Sequence, residues 1–324
     1  MLKKVEISHK TIIFAVLFLL SLWFLYFVRD LLLGLFVAFL LMAILEPMVV
    51  SFTKIKILRG VSIFLSYLLF LGILGGAIAL VVPALVEQTA SFVSALPGYL
   101  ANIGVAQHLS QDVVNGFLAQ LGSLPGEVIK FALSLFSNIL SVVMVLAFSV
   151  YMLVARDKLD ENLGFFVGDE KKKELVDVVV NLESRLGRWA RGEIFLMLLV
   201  GTSTFVGLSL IGIPFALPLA ILAGLLEIVP NLGPTIAAIP SIIIGLGISP
   251  LTGLGAAGLA ILIQQIENYV FVPKIMEKSV GVSPLVTLLA LAIGVRLAGV
   301  VGMIISVPTV ITLQILLKQY LIKD

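Results

Sequence analysis

Runs of about 20 apolar residues recur along this chain, and each is long enough to cross a bilayer core of about 30 Å. They start near residues 11, 31, 61, 136, 194 and 253. Inside lipid, every backbone N–H and C=O must find a partner within the protein. Only helices and closed barrels achieve that across a membrane. The runs read as membrane-spanning helices. Overall 60% of the 324 residues are hydrophobic and 12% are charged. A soluble domain carries about 25% charged residues, so the apolar excess has to face lipid.

Six full spans follow from this pattern: 11–28, 31–50, 61–82, 136–155, 194–211 and 253–272. The second is bent near its end by Glu46-Pro47. The first is long enough to span and is followed by no small-residue cleavage site, so it reads as a retained span and not a cleaved signal. Basic residues mark the cytoplasmic side. Lys3, Lys4 and Lys10 precede the first span, and Lys54, Lys56 and Arg59 follow the second. Arg156, Lys158, Lys171, Lys172, Lys173, Arg185, Arg188 and Arg191 follow the fourth. The opposite loops hold only Arg29 and Lys130. Both termini are then expected in the cytoplasm.

Two stretches repeat one another, PLAILAGLLEIVPNLGPTIAAIPS at 218–241 and PLVTLLALAIGVRLAGVVGMIISVPT at 284–309. Each opens at a proline (Pro218; Pro284) and reaches one charged residue (Glu227; Arg296). A Gly-containing break follows, Pro230-Asn231-Leu232-Gly233-Pro234 in one and Gly299-Val300-Val301-Gly302 in the other. A small-residue arm with a second proline closes each copy (Pro240; Pro308). Lys274, Lys278, Lys318 and Lys323 belong inside by the same basic-residue rule, which requires each copy to cross the membrane zero or two times. The twelve residues 218–229 make about 18 Å of helix, too short to cross. The expected arrangement is two re-entrant helical hairpins, the first entering from outside and the second from inside. Inverted, broken segments of this kind point to a transporter's substrate site.

The predicted fold is therefore an all-α polytopic membrane protein with six spans and two inverted hairpins. Residues 1–155 form a membrane scaffold, in which 83–134 reads as two or three amphipathic helices on the outer surface. Residues 156–193 carry a cytoplasmic amphipathic helix leading into the fifth span. Residues 194–317 form the transport unit, and 318–324 a cytoplasmic tail.

At the first tip, Pro230 ends one arm and Pro234 starts the next. Asn231 can accept freed donors or present its amide to a ligand, and Gly233 lets backbone approach closely. Glu227 lies one turn before the break, and an intramembrane carboxylate marks a pathway or a pair. Three roles are open to it: binding a coupling sodium ion or proton, pairing with Arg296, or hydrogen-bonding a polar substrate. Gln264, Glu267 and Asn268 share one helix face and either bond a neighbouring helix or line the pathway. Arg191 and Glu193 open the fifth span. Arg191 is either a snorkelling anchor or one half of a gating ion pair with Glu193 or Glu183.

There is no cysteine, which excludes thiol catalysis and thiolate metal sites. His9 and His108 are too far apart in sequence to suggest a metal pair. No Walker loop, G-x-S-x-G or H-E-x-x-H occurs, so neither ATP hydrolysis nor a membrane hydrolase is expected. A net charge of +2 suggests no nucleic-acid partner. The alternative to a carrier is a non-transporting scaffold or channel. The aromatic-rich first spans (Phe14, Phe18, Trp23, Phe24, Tyr26, Phe27, Phe36, Phe39) suit either lipid or a homo-oligomer interface.

Arg191-Gly192-Glu193, Gly212-Ile213-Pro214, EIVPNLGPTIAAIPS, ENYVFVPKIMEKSVGVSPLV and GVRLAGVVGMIISVPT together resemble the autoinducer-2 exporter family of permeases. Glu46-Pro47 and KIKILRGVSIFLSYLL extend the resemblance. It implies a multi-pass protein of a prokaryotic inner membrane, conventionally drawn with eight transmembrane segments, that exports a small molecule without ATP. One class of relatives is tied to a furanosyl signal, and another is described as a sodium (or lithium)/proton antiporter. The family's Pro-x-x-Gly-Pro tip falls on Pro230, Gly233 and Pro234. Relatives often carry a neutral polar residue where this chain has Glu227, a departure that argues against a plain uncharged sugar as cargo.

Overall fold

The computed structural model describes residues 9–102, 139–158, 169–229, 232–276 and 283–320, with single positions at 116, 119, 123, 126 and 130. Apart from a three-residue 3-10 turn and one π turn, the elements are α-helices, and the described residues contain no strand. Helix α1 is His9–Phe27, α2 Arg29–Lys54, α3 Arg59–Asn102 and α4 Ile139–Ala155. Helix α5 is Asp169–Ile211, α6 Ala216–Leu226, α7 Leu232–Ile248 and α8 Pro250–Ile266. A π turn at Glu267–Phe271 leads into α9, Val272–Met276, and α10 is Pro284–Tyr320. Among the described residues, five helical segments are long and apolar enough to cross a membrane: Arg29–Lys54, Arg59–Asn102, Lys172–Ile211, Pro250–Met276 and Val301–Tyr320.

Helix α1 lies at the edge of the fold with its apolar side chains outward. Phe14 stacks on Phe18 and Trp23 on Phe27, and the Arg29 guanidinium sits 4.3 Å from the Tyr26 ring centre. Helices α2, α3 and α4 form a compact group around Leu45, Val49, Ile63 and Leu153. Buried polar groups tie it together. Tyr67 donates to Ser149, and Arg59 pairs with Glu46 at 3.8 Å while donating to the Leu153 carbonyl at 3.1 Å.

Helix α3 differs from its sequence reading. Residues from 83 onward were expected to leave the span as separate surface helices. Instead α3 runs unbroken through Pro83 and Pro97 for 44 residues, about 66 Å of helix. The reason is burial. Leu85, Thr89, Phe92, Leu96 and Leu100 repeat at three- and four-residue spacing and are all buried. Phe92, Leu96 and Leu100 pack on Leu208, Ile213, Ala216, Leu219 and Ile244. Asn102 Nδ2 then donates to the Gly247 carbonyl at 3.1 Å. The rest of the expected amphipathic region, 103–134, lies outside the described residues but for the single positions above.

Helix α5 joins the amphipathic segment to the fifth span in one 43-residue rod. Its first half buries Leu186, Trp189 and Ala190 against Leu40 of α2 and Ile305, Ile311 and Ile315 of α10. Arg156, just past α4, pairs with Glu183 of α5 at 2.5 Å. Beyond it, α6, α7 and α8 run back and forth beside the second half of α5. The turn from α7 to α8 is capped by Ser249, whose Oγ accepts from the Thr252 N–H at 3.1 Å, with Pro250 in the first helical position. Ser249→Ala should cost about 1 kcal/mol, read as a small drop in thermal midpoint in detergent.

The chain reverses in both repeat copies. In the first, α6 ends at Leu226 and α7 begins at Leu232, with Gly233 against the Leu226 carbonyl. Pro230 and Asn231 lie outside the described residues. In the second, α10 breaks at Ala298 (φ −144°, ψ 24°) and Gly299 (φ 57°, ψ −137°). A Cβ on Gly294 would lie 2.3 Å from the Gly302 carbonyl oxygen. Residues so numbered would stand about 12 Å apart on an unbroken helix. The two arms, Leu285–Gly299 and Val301–Tyr320, therefore fold against each other. The four repeat prolines do not form these bends. Pro218 and Pro284 sit at or near helix starts, and Pro240 and Pro308 lie inside helices.

Candidate functional site: three buried carboxylates at the first hairpin

Glu227 is the residue that follows α6, and its side chain turns into the protein, 2% exposed. Glu267, the first residue of the π turn, is 1% exposed, and Glu193 of α5 is 7% exposed. The three come from separate elements and meet. Glu227 and Glu267 share a side-chain hydrogen bond, and Glu193 lies within electrostatic reach of both. Two carboxyl groups can share such a bond only when one of them carries the proton. No fixed donor among the described residues reaches Glu227 Oε2. No Lys or Arg among them forms an ion pair with any of the three.

The π turn places Glu267. The Val272 N–H bonds the Glu267 carbonyl, an i to i−5 contact. Pro273 follows it, and in a regular α-helix its ring would press on the carbonyl four residues back. Widening the helix by one residue avoids that, and such bulges are common at functional sites. Gln264 donates to Glu267 Oε2 at 3.3 Å, so two members of the expected polar stripe come together. The third, Asn268, is exposed. Among the described residues no three acidic or histidine groups are arranged as a metal cage.

Arg296 stands apart. It is exposed, makes no ion pair with Glu227, and Gly299 beside it is also exposed. Gly302 and Gly233 are buried at the two reversals, and Pro234 is half-buried. Arg191 does not pair with Glu193 or Glu183. Its Nη1 donates to the backbone carbonyls of Ala43 at 2.7 Å and Ile44 at 3.4 Å on α2. Glu183 is taken by Arg156. Sequence reasoning grouped Glu193 with a gate, whereas the structure groups it with the carboxylates.

Beside the cluster lies a cavity of about 30 Å³, lined among others by Val200, Thr204, Ala223, Ser241 and Ile263. Ala223 and Ile263 are one turn from Glu227 and Glu267 respectively, so cavity and carboxylates share one seam between α5, α6, α7 and α8. Its volume is that of about one water molecule. A solute of sugar size does not fit in this cavity.

A family model described as "AI-2E family transporter" matches residues 12–322. The chain belongs to this family. It is 28% identical over 306 residues to "Putative transport protein YueF" of Bacillus subtilis, covering 88% of this chain and 83% of the relative. A second B. subtilis relative with the same description, YrrI, is 26% identical over 81% of this chain and 79% of its own length. YhhT of Escherichia coli, described likewise, is 38% identical over 35% of this chain and 33% of its own length. With several apolar helices long enough to span, this member of the AI-2E family is a multi-pass membrane protein.

Proposed function

We propose that the protein is a secondary transporter that exports a small polar solute or signal and couples that export to an ion at Glu193, Glu227 and Glu267. The observation that carries this reading is the meeting of three buried carboxylates, without a cation partner among the described residues, at the reversal between α6 and α7. Such groups are costly in a membrane and are retained where protons or ions move. The contact of Glu227 with Glu267 favours a proton as the coupling ion, since a proton is what two carboxyls can share.

The membrane arrangement is part of the proposal. The α6–α7 and α10 reversals are two re-entrant hairpins of opposite entry, with both termini cytoplasmic in an inner membrane. Residues 194–317 move against a scaffold formed by 1–155. Pro230, Asn231, Gly233 and Pro234 form the substrate-facing tip, and Gln264, Asn268, Arg296, Gly299 and Gly302 belong to the pathway opened when the hairpins part.

A sodium (or lithium)/proton antiporter is the second reading, favoured by the charge of the cluster. Proteoliposomes holding a pH-sensitive dye and radioactive sodium separate the outcomes. Saturable proton flux driven by a sodium gradient supports antiport. Proton flux that appears only when a polar solute is supplied supports the exporter. If neither a proton nor a sodium gradient drives any flux, ion coupling is wrong. Unsaturable, counter-ion-independent flux identifies a channel.

A further inference from the structure

We propose that Arg191 is a positioning residue, which holds Glu193 in the carboxylate cluster by clamping α5 onto the backbone carbonyl that Pro47 frees on α2. The functional half of this inference rests on reading the cluster as the coupling site. In an α-helix the carbonyl of residue 43 accepts from the N–H of residue 47. Residue 47 is proline and has no N–H. The Ala43 carbonyl is therefore left open in the middle of α2, and Ala43 is buried. Arg191 Nη1 fills that vacancy at 2.7 Å. Gly187, one turn earlier on α5, makes the approach possible, for a Cβ there would lie 2.4 Å from the Ala43 oxygen and 3.0 Å from Arg191 Nη1.

Successive helix residues point about 100° apart, so Arg191, Gly192 and Glu193 face three directions. Arg191 reaches α2. Gly192 meets α9, where a Cβ would lie 3.0 Å from Ile275 and 3.1 Å from Met276. Glu193 faces the cluster. The run Arg191-Gly192-Glu193 is thus a three-way joint between scaffold, π-turn segment and carboxylates. A gate would exchange its partner during a cycle. This contact offers no exchange, because releasing it leaves a buried carbonyl and a half-buried guanidinium unpaired together. It is a fixed point about which other contacts move.

Two measurements on the full chain test the clamp. First, Arg191→Ala and Gly187→Ala should each lower the thermal midpoint by several degrees. In a Pro47→Ala background, where the Ala43 carbonyl regains a helical donor, the Arg191→Ala loss should shrink to less than half. Pro47 is exposed, so its replacement disturbs no packed neighbour. Additive losses would overturn the capping role. Second, spin labels go on cysteines replacing exposed Ile55, just past α2, and exposed Tyr269, on the π turn. The chain has no other cysteine. One narrow distance is expected with Arg191 or Arg191→Lys present. Pro47→Ala/Arg191→Ala should stay folded but give a broadened or shifted distance. An unchanged distance would mean that Arg191 stabilises without positioning, and the inference would fall. A wild-type protein carrying no proton or sodium flux would remove the coupling-site reading, and neither measurement depends on flux.

Discussion

Glu227→Gln is expected to abolish the pH dependence of flux in proteoliposomes and to lower gradient-driven flux about tenfold or more, equivalent to ~1.4 kcal/mol of barrier. The substitution keeps the size of the side chain. Its amide can still donate to Glu267, so the hydrogen bond in the cluster survives while the exchangeable proton between two acids is lost. A buried carboxylate without a cation partner is a net cost to the fold. Thermal stability should therefore be unchanged or higher, which separates loss of coupling from loss of structure. Glu267→Gln should behave in the same way, because it is the other half of the pair. Glu193→Gln should give a smaller change, since Glu193 lies within electrostatic reach but is not one of the bonded two. A Glu227→Gln protein with the wild-type pH profile would remove the pair from the mechanism.

What could be read from the sequence, and what could not, follows from where each signal lies. Apolar runs and turn residues are local signals, and they located the apolar helices and both chain reversals. They did not show which helices are long enough to span, since Ile12–Phe27 and Leu140–Ala155 are shorter than that and Val301–Tyr320 is not. Pro-Asn-Leu-Gly-Pro and Gly299 each announce a backbone that cannot continue as helix. Pro83 sends the same local signal, yet α3 continues past it. There Phe92, Leu96 and Leu100 find α6 and α7 to pack against, and tertiary burial outweighs one missing hydrogen bond. The carboxylate cluster is the opposite case. Glu193, Glu227 and Glu267 are far apart in the chain, and the sequence reads them separately, as a gating candidate, a carboxylate beside the hairpin tip and part of a polar stripe. Matching positions in the two repeat copies suggested Glu227 and Arg296 as partners, but equivalence under a repeat does not require contact. The partner of Arg191 was hidden because it is a carbonyl, and sequence displays side chains. The available clue was Pro47, which frees the carbonyl four residues before it.

Gly302→Val is expected to give the largest structural effect of any single change considered, a destabilisation of about 3 kcal/mol or more. A Cβ at Gly302 would stand 2.0 Å from the Gly294 carbonyl oxygen and 2.7 Å from its carbon. Both are backbone atoms, so no side chain can rotate away to make room. The arms Leu285–Gly299 and Val301–Tyr320 must then separate. Ser306, whose Oγ donates to the Gly302 carbonyl at 2.6 Å and lies against Gly294, loses its place with them. The second arm also carries Ile305, Val307, Ile311 and Ile315 into the core shared with α5. Displacing it therefore exposes apolar surface well beyond the hairpin. The thermal midpoint in detergent should fall sharply, with lower yield of folded protein. Gly258→Ala is the control, since nothing lies within 4 Å of a Cβ there, and it should leave the midpoint near wild type. If Gly302→Val melts like Gly258→Ala, the arms are not packed face to face. In that case α10 would be a bent helix, and the equivalence of the two repeat copies would fail at the level of structure.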